Sequence, residues 1–303
     1  MHTLANEKLR VVIDPQHGAS IMAFDIRLDH EWLPLMPDAR RADVDLDCAN
    51  FLMIPYSNRI ENGCFSFAGQ HFWLANSESH AIHGDVRYRL WQVLDSSAQH
   101  ISCVFDSLVF SDINWPWSFA AKVDFRMVGN SLLSKLTVKN SSDSAMPLGL
   151  GWHPYFSRSL TREGEPVLIK ARVKGVYPDA NDNRIPSGSP VSLPDELDFS
   201  SGKELAPDRF FDHCLSGLSG NSSITWPESG VKVTFECSTE YTHLVLYNPL
   251  EKPYFAFEPV TNANNGFNLY EKGEISSGVL VLEPGESIDV SMNLLIDQTP
   301  NLK

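Results

Sequence analysis

Apolar and polar residues alternate with a period of two along most of this chain. In KVDFRM, Val123, Phe125 and Met127 point one way while Lys122, Asp124 and Arg126 point the other. Leu136 and Val138 repeat the pattern in LTVKN, and Val231, Val233, Phe235 and Cys237 do so in VKVTFEC. Ile288, Val290, Met292 and Leu294 carry it through SIDVSMNLLI. Stretches that bury one face and wet the other are the pattern of antiparallel strands. Turn signals separate them: Pro15-Gln-His-Gly, Gly129-Asn130, Pro186-Ser-Gly and Pro284-Gly285. Helical spacing is scarce, and the pattern predicts only one- or two-turn helical pieces, near Pro207 to Leu215. The expected fold is all-β: one large antiparallel β-sandwich domain over residues 1–303 with few short helices. The stretch from Pro178 to Pro207, rich in Asp, Asn, Ser and Pro, reads as a long surface excursion of that domain. Loops of that length are usually functional or mobile.

Composition narrows the chemistry. At 43% hydrophobic residues the chain can build a large core. With 24 Lys plus Arg against 38 Asp plus Glu, its formal charge of −14 repels nucleic acid and anionic membranes. A neutral or cationic small ligand is expected, with neither nucleic acid nor membrane as partner. Cys48, Cys64, Cys103, Cys214 and Cys237 are odd in number and never in CxxC spacing, so neither a disulfide framework nor a zinc knuckle is indicated. No apolar run approaches the ~20 residues of a membrane span, and MHTLANEKLR lacks the apolar core of a signal peptide. A cytoplasmic protein with reduced thiols is expected.

The glycine-rich phosphate cradles, HExxH and Gly-x-Ser-x-Gly are all absent. Asp43-Val-Asp-Leu-Asp47 opens like a calcium loop but lacks its sixth-position glycine and has Ile54 at the twelfth, so it reads as a solvated charged stretch. Four segments carry more. Asn58-Arg59-Ile60 precedes a Gly63 turn and a hairpin-like pair of aromatic strands; His83 precedes a glycine in HAIHGDVR; His153 sits inside GWHPYF; and Glu258 follows an apolar strand in FAFEPVTNANNGFN.

These segments, with NRIENGCFSFAG, the FDH at 211 to 213 and the final LEPGESI, resemble the galactose mutarotase (aldose 1-epimerase) family in order and spacing over nearly the full length. The resemblance implies a sandwich with a sugar groove on one concave face, no metal and no organic cofactor. It places His153 at the general-acid position and Glu258 at the general-base position. It places Arg59, His83 and Asp212 where the family contacts sugar hydroxyls; Asn58, Trp152 and Tyr155 are neighbours of these residues and are expected to shape the groove. Glu258 is followed by Pro-Val-Thr, where the best-studied galactose enzymes have Thr-Gln, and a second glycine is missing after Gly84. These departures leave the preferred sugar open.

Mutarotation needs one group to take the proton of the C1 hydroxyl and another to protonate the ring oxygen. A carboxylate and an imidazolium suit this near neutrality, and the Glu258 carboxylate is expected to favour the protonated form of His153. The implied partner is a monosaccharide, with a monomer and a homodimer equally compatible. Three rival readings bear on the same residues. A hexose-phosphate epimerase would need a basic cluster such as Arg59, Arg87 and Arg89. A sugar-binding protein without turnover would have no use for an acid and base pair. A hydrolase acting with inversion would need two flanking carboxylates.

Overall fold

The computed structural model describes residues 1–75 and 80–299. Two large antiparallel sheets face each other. The first has nine strands, in the order Gln92–Ser96, His100–Asp106, Phe119–Val128, Ser131–Asn140, Ser287–Gln298, Val231–Cys237, Ser219–Trp226, Leu168–Arg172 and Lys203–Glu204. The second has eight strands; seven run Val191–Ser192, Gly175–Val176, Phe211–Ser216, His243–Asn248, Tyr254–Val260, Gly151–Trp152 and Leu52–Met53, and Tyr155–Ser157 also pairs with Tyr254–Val260. A four-stranded sheet from residues 2–36 and short pairs complete the strands. The sandwich reading is borne out, and the four alternating segments all lie in the nine-stranded sheet.

That sheet alternates cleanly because only one of its faces is covered. Phe119–Val128 buries every second residue, Phe119, Ala121, Val123, Phe125 and Met127. The apolar rows of the two sheets meet through aromatic rings: Phe125 lies 6.0 Å from Trp152 and Phe235 lies 4.6 Å from Phe257, centroid to centroid. The expected aromatic hairpin forms between Cys64–Phe67 and Gln70–Trp73, with Phe65 stacked on Trp115.

Three expectations change. No helix forms near Pro207 to Leu215. Phe211–Ser216 is instead a strand bonded on both sides, to Gly175–Val176 and His243–Asn248. Residues on both its faces are buried, which removes the alternation that would have revealed it. The α-helix among the described residues is Gly266–Glu271. The 178–207 excursion also does more than cross the surface: it adds an edge strand to each large sheet and sends Leu197, Phe199 and Leu205 into the core. Trp152 is the third. It is buried between the sheets and donates its indole N–H to Tyr241 Oη at 2.7 Å, so it shapes the core and not the groove. No helix among the described residues is long and apolar enough to cross a membrane.

Candidate active site

Strand register assembles the site. Across the eight-stranded sheet Asp212 pairs with Tyr247, Tyr247 with Ala256, and Ala256 with Tyr155. Two residues along, Cys214 pairs with Val245 and Val245 with Glu258. Cross-strand partners share a face, and so do residues two apart on one strand. Asp212, Tyr247, Tyr155 and Glu258 therefore stand on one side of the sheet, while Phe255 and Phe257 project from the other into the core. The same parity turns Trp152 inward and His153 outward. His153 is fixed at its place by its backbone N–H, which donates to Phe51 O at 3.0 Å.

Loops supply the remaining side chains. His83 and Asn58 both have positive φ, 62° and 51°, and the His83 N–H donates to Asn58 O at 2.9 Å. Gly84 follows because nothing larger fits: a Cβ there would lie 2.0 Å from the Ile54 carbonyl oxygen. Asn58 Oδ1 accepts from Arg59 Nη1 at 3.0 Å and so orients the guanidinium. The amides after Glu258 are fasteners. Asn262 Oδ1 accepts from Ser57 Oγ, the Asn265 N–H donates to the Arg59 carbonyl, and Asn264 Nδ2 donates to the Arg184 carbonyl.

These elements enclose a cavity of about 510 Å³ walled by Arg59, His83, His153, Asp212, Tyr247 and Glu258, with Asn58 and Tyr155 also on its lining. Its size falls within the usual range for small-molecule sites. All seven candidates other than Trp152 are thus brought together. At its floor His153 Nε2 lies 3.2 Å from Glu258 Oε1, both side chains buried. Phe51 stacks on the His153 ring at 4.5 Å, and His83 meets that ring edge-on at 5.0 Å. His83 Nδ1 lies 3.0 Å from Met53 Sδ. His153 Nδ1 and Glu258 Oε2 are buried with no protein hydrogen-bond partner.

Burial dominates the ionisation of this floor. It drives the Glu258 carboxyl well above its ordinary range, an effect that nearby Asp212 reinforces and Arg59 opposes. It drives both His153 and His83 down, with the Arg87 and Arg59 charges adding to the effect at His153. The expectation that Glu258 would keep His153 protonated is therefore corrected: desolvation favours the neutral pair, with one proton between them held at the carboxyl.

Arg184, missed in the sequence, lines the cavity from the 178–207 segment. Its Nε donates to Asp212 Oδ2 at 2.9 Å, and its Nη1 reaches Asp179 and Asp182. These carboxylates hold its guanidinium still more firmly protonated. Tyr247 and the exposed Phe210 also line the cavity. Tyr247 lies in HLVLYN, a strand covered on both faces, where alternation gives no signal.

Residues 1–295 match the family described as Aldose 1-epimerase. The uncharacterized Escherichia coli K12 protein YphB is 24% identical over 310 residues, covering 98% of this chain and 99% of its own. Among solved structures, a putative aldose 1-epimerase of Escherichia coli K12 superposes with a TM-score of 0.84 at 23% identity over 98% of this chain and 99% of that one. A galactose mutarotase-like protein of Clostridium acetobutylicum gives 0.83 at 20% identity, over 98% and 95%.

Proposed function

Because the chain belongs to the aldose 1-epimerase family, we propose that it interconverts the α and β anomers of a free aldohexose, with Glu258 as general base and His153 as general acid. The observation that carries this reading is the 3.2 Å contact between His153 Nε2 and Glu258 Oε1 on the floor of a polar-walled cavity. A pair holding one proton matches the proton count of the reaction. Sugar hydroxyls seated on the floor supply hydrogen bonds to the charged pair and let that proton pass to His153, with the Arg59 charge favouring ionised Glu258. Glu258 then takes the C1 hydroxyl proton, the bond from C1 to the ring oxygen breaks, and the ring oxygen takes the proton of His153. Rotation about C1–C2 and the reverse transfers close the ring on the other face and restore the pair. Arg59, His83, Asn58, Asp212 and Tyr155 hold the hydroxyls.

An unphosphorylated sugar is favoured over a hexose phosphate because the basic cluster does not assemble. Arg89 is ion-paired with Asp85 and Asp112, and Arg87 is absent from this cavity. Polarimetry on freshly dissolved α-D-galactose and α-D-glucose tests the reading: the approach to anomeric equilibrium accelerates with the protein. Equal rates with and without it contradict the proposal.

Arg184 acts here through Asp212. Its replacement by Met removes the 2.9 Å ion pair that aims this carboxylate, and KM is expected to rise roughly tenfold with a smaller change in kcat. Steady-state polarimetry of the variant checks that split.

A further inference from the structure

His83 lines the acid and base cavity, yet one edge of its ring reaches back into the core, where Nδ1 lies 3.0 Å from Met53 Sδ. Met53 is fully buried on the edge strand Leu52–Met53 and pairs with Gly151 across the eight-stranded sheet. That glycine leaves room for it: a Cβ at Gly151 would lie 2.6 Å from Met53 Cε. His83 is stitched to the same segment, because Ile54 bridges to Gly84 and the Asp85 N–H donates to Ile54 O at 2.8 Å. Phe51 meets the His83 ring edge-on at 5.4 Å. The imidazole is thus held with Nδ1 on the sulfur, and Nε2 is the ring nitrogen left for the cavity.

A thioether sulfur has lone pairs and no hydrogen to give, so it accepts weakly and never donates. A bare Nδ1 would set one lone pair against another at this distance, so Nδ1 must carry a proton. A second proton on the ring is disfavoured first by burial and then by the neighbouring His153, Arg87 and Arg59. With its one proton at Nδ1, His83 presents Nε2 as a bare acceptor. The consequence for a ligand is specific. Arg59 lines the same cavity as a donor only, and an Nε2–H would make His83 a second one. A bare Nε2 instead lets one hydroxyl donate to the imidazole while its own lone pairs accept from the guanidinium, and hydrogen bonds chained in this way strengthen each other.

We propose that Met53 is a positioning residue that holds His83 in its Nδ1–H form, so that Nε2 accepts a hydrogen bond from a hydroxyl of the bound sugar. The part played by the sugar rests on the mutarotase reading above; the form of His83 does not. The test joins polarimetry on D-galactose and D-glucose to a long-range proton–nitrogen correlation spectrum of the imidazoles in the sugar-free protein at neutral pH. His83 is assigned there by the signals missing from His83→Gln. The expected native spectrum shows a protonated Nδ1 and an unprotonated Nε2 for His83. Met53→Leu keeps the volume and removes the acceptor, so the His83 signals are expected to move toward Nε2–H and KM to rise about tenfold with a smaller change in kcat. Met53→Gln, whose amide oxygen again accepts, is expected to restore both. An Nε2–H or a doubly protonated His83 in the native protein overturns the proposal, and an unchanged His83 spectrum in folded Met53→Leu overturns the role of Met53. A shifted spectrum with unchanged KM overturns the hydrogen bond from the sugar. No acceleration of either hexose by the native protein overturns the mutarotase reading and that hydrogen bond together, while the spectrum still decides the form of His83.

Discussion

Glu258→Gln is expected to lower kcat by ~10²–10⁴-fold, the usual contribution of one positioned proton acceptor, while the protein stays folded. The amide keeps the volume of the carboxyl and its place beside His153 but has no basic oxygen to take the C1 proton. Stability gives the independent check. Burial raises the folded-state pKa of Glu258 above its ordinary 4.5, so the unfolded chain gives up this proton first as pH rises. The native state is then progressively penalised for holding the carboxyl protonated, from about the unfolded pKa up to the raised one. Gln carries no such penalty. The Tm of Glu258→Gln should match the wild type near pH 4 and exceed it by a growing margin above that, as thermal unfolding at several pH values would read. A variant that loses activity because it loses its fold would show the opposite trend.

His153→Gln should cost a similar ~10²–10⁴-fold, now through loss of the proton donor. The double variant should fall little further than the worse single one, because the two groups act as a unit on one proton. The pH profile of wild-type kcat/KM carries the sign of the buried pair. His153 is pushed below its ordinary 6.5 and Glu258 above its ordinary 4.5, so the second proton adds only well under 6.5 and the shared proton leaves only well over 4.5. The expected profile has its acid limb displaced below the range of free histidine and its alkaline limb displaced above the range of a free carboxyl. An acid limb centred near 6.5 would mean that His153 titrates as it does in water.

How much of this was legible in the sequence follows from what each strand faces. Val231–Cys237 and Ser287–Gln298 have one covered face, so their alternation is written in the residues. Phe211–Ser216 and His243–Asn248 are buried from both sides, which hid the first strand and left Tyr247 without a signal. His153 and Glu258 stand out because titratable side chains in apolar surroundings are costly. Their ionisation was misjudged, since Coulomb attraction can be read from a pair of residue types but the extent of desolvation cannot. Trp152 was assigned to the groove by proximity to His153, yet adjacent residues of an extended chain face opposite sides. Arg184 was out of reach for a different reason: the contact that brings it to the cavity wall, to Asp212, joins separate segments with no periodic mark.

The central claim is that Glu258 and His153 pass a proton to and from a sugar ring. Saturation transfer between the anomeric protons of fully equilibrated D-galactose measures this interconversion with no net reaction to drive it. The account predicts transfer from the α to the β resonance in the presence of the protein and none above the uncatalysed rate with Glu258→Gln. Transfer of equal size with the variant would contradict it.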